Sequence, residues 1–168
     1  MLFLKDIINN DECKVEVGYY VPFSITIGNE KVFSSKLCWR IGNFKTSLME
    51  ISIDEKTGVL RNITLTSVDK ANLLNESLKK FDVTEIGTPV FSLEGNVKNG
   101  LCDQLIDYDV YLGNDYIRVD FDLDKHYKKI IKQDRVLLIF NQNNQLISLI
   151  VKDLSISEYN DLKEGLKI

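Results

Sequence analysis

The chain has 168 residues, of which 44% are hydrophobic and 27% charged, with a net charge of −4. This is enough to build one ordinary domain or two small half-domains sharing a core, and it argues against a disordered chain. No apolar run approaches the ~20 residues of a membrane-spanning helix, and a net acidic chain lacks the clustered Lys and Arg of a nucleic-acid surface.

At the start of the chain, Met1-Leu2-Phe3-Leu4 is interrupted by Lys5 and Asp6. Without a basic leading region or a sustained apolar stretch it does not read as a signal peptide, so the cytoplasm is the expected compartment. Lys14–Val21 and Phe23–Ile27 alternate or carry β-branched and aromatic residues, the pattern of strands. Pro22, which has no N–H for a ladder, marks a break between them. Gly28-Asn29-Glu30 reads as a turn, and Phe33, Ser35, Leu37, Trp39 and Ile41 share one face of the next strand.

Ser47–Ile53 and Val59–Leu65 flank Asp54-Glu55-Lys56-Thr57-Gly58, whose glycine accepts the positive φ of a tight hairpin. Met49, Ile51, Ile53, Ile63 and Leu65 lie on one side and Glu50, Ser52, Asn62 and Thr64 on the other, so this hairpin is half-buried. Asp69 can cap a helix over 69–80 with Ala71, Leu74, Leu78 and Phe81 on one stripe. Gly87-Thr88-Pro89 is the expected joint between two halves, and Gly95–Gly100 a loop. A shorter helix is expected from Asp124, with Tyr127, Ile130 and Ile131 inward. The hairpin Arg135–Val151 is apolar on both faces and should be covered on both, at the centre of the fold. Ser155-Ile156-Ser157-Glu158 is a capping box that opens a helix over 155–166, with Leu154 and Tyr159 placed as a hydrophobic staple.

The halves resemble each other. Gly28-Asn29-Glu30 followed by the hairpin 47–65 matches Gly113-Asn114-Asp115 followed by the hairpin 134–151, at a spacing of about 85 residues. The expected fold is therefore α+β: mainly antiparallel sheets from an internal duplication, residues 1–84 and 85–168, with two or three packed helices in one domain.

Catalytic equipment is sparse. Cys13, Cys38 and Cys102 are odd in number and have no CxxC spacing, so they read as buried or half-buried thiols rather than a disulfide or zinc framework. His126 is the single histidine, with no nucleophile motif to serve. Gly42-Asn43-Phe44-Lys45-Thr46 lacks the glycines of a phosphate loop. No cofactor is expected.

One acidic constellation stands out. Asp120, Asp122 and Asp124 alternate, so as a strand all three carboxylates share one face, with Asp107 and Asp109 nearby. Three readings fit: a solvated face that discourages edge pairing, a contact face for a basic protein, or a divalent-metal site. The last suffers from the ~7 Å between alternate strand residues, too far for all three to reach one ion unaided.

Gly18-Tyr19-Tyr20-Val21-Pro22-Phe23, Trp39-Arg40-Ile41-Gly42 and the acidic run 120–124 together resemble, in style, the immunity proteins of contact-dependent growth inhibition and related polymorphic toxin systems. The resemblance implies a non-enzymatic inhibitor of a cognate protein toxin, often a nuclease, bound through an acidic face of Asp120, Asp122 and Asp124 with Asp107 and Asp109, or through a strand edge. Two other readings stand beside it. One is a metal-dependent hydrolase using the same aspartates. The other is a structural module that dimerises through the hairpin 135–151.

Overall fold

Two-residue periodicity governs most of this chain. In Phe23–Ile27 the aromatic and both isoleucines are buried while Ser24 and Thr26 face outward, as in a strand with one covered face. The computed structural model describes residues 1–9, 11–28, 35–121 and 126–168. Among the described residues the strands are β1 (Leu2–Ile8), β2 (Cys13–Val17), β3 (Phe23–Ile27), β4 (Lys36–Ile41), β5 (Leu48–Asp54), β6 (Leu60–Ser67), β7 (Ala71–Leu73) and β8 (Glu85–Ile86). They continue with β9 (Thr88–Leu93), β10 (Leu101–Gln104), β11 (Asp109–Leu112), β12 (Tyr116–Asp120), β13 (Tyr127–Gln133), β14 (Val136–Asn141) and β15 (Leu146–Lys152), before the helix α1 (Ile156–Gly165).

β1 and β9 pair as an antiparallel ribbon. The two larger sheets have the orders β10-β4-β5-β6-β3-β2 and β7-β11-β12-β15-β14-β13-β8. Each contains the same five-strand path. A hairpin, β2–β3 or β11–β12, precedes a meander, β4–β5–β6 or β13–β14–β15, whose last strand pairs with the hairpin's second strand. A short parallel strand then flanks each meander, β10 beside β4 and β8 beside β13. The glycine turns matched by sequence are not equivalent in this path, because Gly28 follows β3 whereas Gly113 lies between β11 and β12. Gly-Asn is generic turn chemistry and does not mark a position in a fold.

The α+β expectation with two or three helices is overturned: the described fold is mostly β, with one short helix. Ala71–Leu73 of the expected helix 69–80 is instead β7, parallel to β11. Residues beyond it satisfy their backbone on the seven-stranded sheet, with Leu74 N–H donating to the Leu112 carbonyl and Leu78 N–H to the Asp115 carboxylate. Leu74, Leu78 and Phe81 do pack together, over a second buried cluster of Tyr116, Ile130, Leu137, Ile139, Ile147 and Ile150. Their spacing encoded a cover for the sheet without encoding a helix.

The helix expected from Asp124 is also corrected. Asp124 lies outside the described residues, and Tyr127, Ile130 and Ile131 belong to β13. Ile130 joins the outer cluster while Ile131 joins the main core. Consecutive residues on opposite faces are what a strand produces and a helix does not.

The main core takes residues from both large sheets and from the ribbon, including Leu2, Phe23, Trp39, Leu65, Phe91, Leu138 and Phe140. β14 is buried throughout and β15 nearly so, consistent with strands covered on both faces. These strands therefore present no exposed apolar surface to a second copy. The capping box closes as its spacing requires: Glu158 N–H donates to Ser155 Oγ at 3.2 Å and Ser155 N–H to the Glu158 carboxylate at 2.8 Å. Leu154 and Tyr159 pack against the core beside buried Leu162. No helix among the described residues is long and apolar enough to cross a membrane.

Candidate functional site

β12 ends at Asp120, and Asp122 and Asp124 lie outside the described residues, so the three-carboxylate face is not among them. The Asp120 side chain is engaged within the molecule. Ser148 Oγ donates to its Oδ1 at 2.6 Å and Arg118 Nε lies 3.2 Å from its Oδ2. Asp109 stands directly opposite it on β11. The Arg118 guanidinium also lies over the Tyr111 ring at 4.5 Å from the centroid. Asp107 is exposed in the connection before β11. Two of the five expected contact residues, Asp109 and Asp120, are thus brought together at a sheet margin, with an internal cation beside them.

Among the described residues no group of three or more His, Cys, Asp and Glu side chains is arranged to hold a metal ion. Cys102 is buried and Cys13 and Cys38 are half-buried, all as free thiols. His126 is exposed just before β13. At Gly42–Thr46, the Asn43 Oδ1 accepts from the backbone N–H of Lys45, Thr46 and Ser47 at 2.9, 2.8 and 3.0 Å. Such a run of amides is an anion nest. Here its own asparagine fills it.

The six-stranded sheet offers a different surface. Its inner face enters the core through Phe23, Ile25, Trp39, Ile41, Met49, Ile51, Ile63 and Leu65, whereas its outer face is mainly polar and charged. The ladder registers align Asp103, Arg40, Glu50, Thr64, Ser24 and Glu16 in one row across all six strands. A second row holds Cys38, Ser52, Asn62, Thr26 and Lys14. Arg40 grips Asp103 with two hydrogen bonds, at 2.7 and 2.6 Å. That bond holds the Asp103 carboxyl below its ordinary range and raises Arg40.

Strand direction places several exposed apolar residues of this sheet along one rim. β2, β4, β6 and β10 run the same way, so the connections after Val17, Ile41 and Gln104 share a rim. That rim carries Tyr19, Tyr20, Val21, Phe44 and Leu105, all exposed, with Tyr20 at 89% and Leu105 at 82%. Across five interstrand steps of ~4.8 Å the sheet is roughly 24 Å wide. Beside the tyrosines a hollow of about 460 Å³ opens between β2 and the outer face.

Strand addition has less room. β7, β8 and β10 are three, two and four residues long, the short edges that resist pairing. On β2 the outward Val15 carbonyl accepts from Arg135 at 3.3 Å.

No protein-family model matches the chain, and a search of curated proteins finds no match. The rim residues were missed by sequence reasoning, which absorbed Tyr19, Tyr20 and Val21 into a strand. The signal was present: three consecutive large side chains before Pro22 break the alternation of a half-buried strand.

Proposed function

We propose that the chain is a binding protein that acts through surface complementarity, and that its partner is a cognate bacterial protein toxin which it neutralises by covering. The observation that carries the reading is Tyr20, 89% exposed at the rim of a polar sheet face. Tyrosine is enriched at interface hot spots because it combines a large rigid ring with a polar tip. Exposed apolar residues from three separate connections lie along that rim, and Tyr19 and Tyr20 stand together at its β2 end.

The toxin partner follows from the resemblance. Two of the three segments that support it, Gly18–Phe23 and Trp39–Gly42, fall in this sheet, Trp39 facing the core and Arg40 the open face. The third segment is the acidic run, whose described member Asp120 is paired internally. The contact face proposed is therefore the outer face of β2–β6 and its rim.

Co-expression with the product of a neighbouring reading frame tests the reading. Growth rescue and co-elution of the two purified chains are expected, and Tyr20→Ala should weaken the complex by tenfold or more. Absence of both rescue and complex would refute the toxin partner. Full affinity retained by Tyr20→Ala combined with Phe44→Ser would refute the face.

A further inference from the structure

Resting on that binding reading, we infer that the hollow beside Tyr19 and Tyr20 receives an arginine side chain of the partner, which lies against the tyrosine rings with its head at Glu16. The hollow, about 460 Å³, is lined by Glu16, Tyr19, Tyr20, Val21, Ser24 and Thr64 among others. The two rings meet edge to face, with centroids 4.9 Å apart and planes at 85°, so each leaves ring surface toward solvent. Among the described residues of the lining, Glu16 is the single ionisable group apart from the two phenols.

The chemistry of the walls selects the occupant. An anion would face the Glu16 carboxylate. A purely apolar side chain would strip water from Glu16 and from the Ser24 and Thr64 hydroxyls without replacing their hydrogen bonds. An arginine meets both demands, its methylene stem lying along the apolar wall and its guanidinium over a ring and beside the carboxylate. Glu16 already attracts a cation, since Lys14 Nζ lies 2.8 Å from its Oε1. Both side chains of that pair are about two-thirds exposed, 68% and 63%, so the contact is weak and an incoming guanidinium can share or displace it.

The same pairing occurs twice inside the molecule. Arg118 lies over Tyr111 at 4.5 Å, and Arg40 over Phe44 at 6.0 Å. Arginine is preferred to lysine because its planar, weakly hydrated group stacks on rings and pairs with a carboxylate through two donors. The overall charge of −4 favours approach of a basic partner.

The purified chain, ¹⁵N-labelled, tests this without any partner. N-acetyl-L-arginine methylamide should shift the amide signals of Glu16–Val21 saturably, with a Kd on the order of millimolar. The citrulline analogue, equal in shape but uncharged, should bind about fivefold more weakly or worse. Glu16→Gln should weaken arginine binding about threefold and Tyr20→Ala should abolish saturation, both variants keeping the spectrum of a folded chain elsewhere. No saturable shift, or equal response to arginine and citrulline, would overturn the inference. So would an unchanged Kd in Glu16→Gln. The outcomes separate cleanly from those of the co-expression test. Failure of the titration with rescue intact removes the arginine site alone, whereas saturable arginine binding with neither rescue nor complex removes the toxin partner alone.

Discussion

Replacing Glu158 by glutamine should cost stability in a pH-dependent way. Glu158 closes the capping box of α1 and binds Arg135, which sits in the β13–β14 turn, through Nη2 at 2.6 Å and Nη1 at 3.1 Å. Arg135 also donates to the Val15 carbonyl. The Glu158–Arg135 pair therefore ties the terminal helix to both large sheets. The bond to Arg135 holds Glu158 at about 2 in place of an ordinary 4.5, and Arg135 is correspondingly raised.

A depression of that size corresponds to at most about 3 kcal/mol of folding free energy. About a fifth of each side chain stays in water, 19% and 22%, so screening leaves ~1–2 kcal/mol. Because the folded value lies below the unfolded one, this stability is complete above pH ~4.5 and is lost as pH falls toward 2. Glutamine keeps an acceptor for the Ser155 amide but loses the charge. Urea unfolding followed by Trp39 fluorescence should give a deficit of about 1–2 kcal/mol at pH 7 that is clearly smaller at pH 2.5. An equal deficit at both pH values would show that packing, and not charge, holds α1 in place.

Truncation should separate the second cluster from its cover. Leu137→Ala, on the buried strand β14, should destabilise by about 2–5 kcal/mol, while Leu78→Ala, in the partly exposed cover of that cluster, should cost about 1–2 kcal/mol; equilibrium unfolding of both variants checks the ordering. Burial, and next the negative charge of Asp134, push the Cys13 thiol up to about 11. Its alkylation by iodoacetamide should therefore still be accelerating between pH 8 and 10, and a plateau in that interval would contradict the half-buried placement.

The elements most legible in the sequence are those whose signal is local. The Asp54–Gly58 turn forms as its glycine required, with Gly58 at φ +74°, and the capping box closes at Ser155 and Glu158. Alternation placed Phe23, Ile25, Ile51, Ile63 and Leu65 in the core. Errors arose where one pattern serves two geometries. Leu74, Leu78 and Phe81 have helical spacing, yet the chain there is held by bonds to Leu112 at the end of β11 and Asp115 in the β11–β12 turn, partners no local window contains. Ile130 and Ile131 are adjacent apolar residues because both faces of β13 are covered, and a short doubly covered strand looks like a helix fragment.

For the candidate site the division is sharper. The sequence by itself determined that the chain would be rich in β structure, that the hairpin 135–151 would be covered on both sides, and that Asp120 would lie on a strand. Only the tertiary structure decided that Ser148 and Arg118 engage Asp120. It also brought Tyr20, Phe44 and Leu105, which are separated by 24 and 61 residues in the chain, to one end of a single sheet. Hydrophobic period and turn chemistry act over a few residues and can be read in order. The pairing of β10 with β4 and of β6 with β3 joins segments far apart in sequence, and that long-range pairing determines which exposed side chains become neighbours.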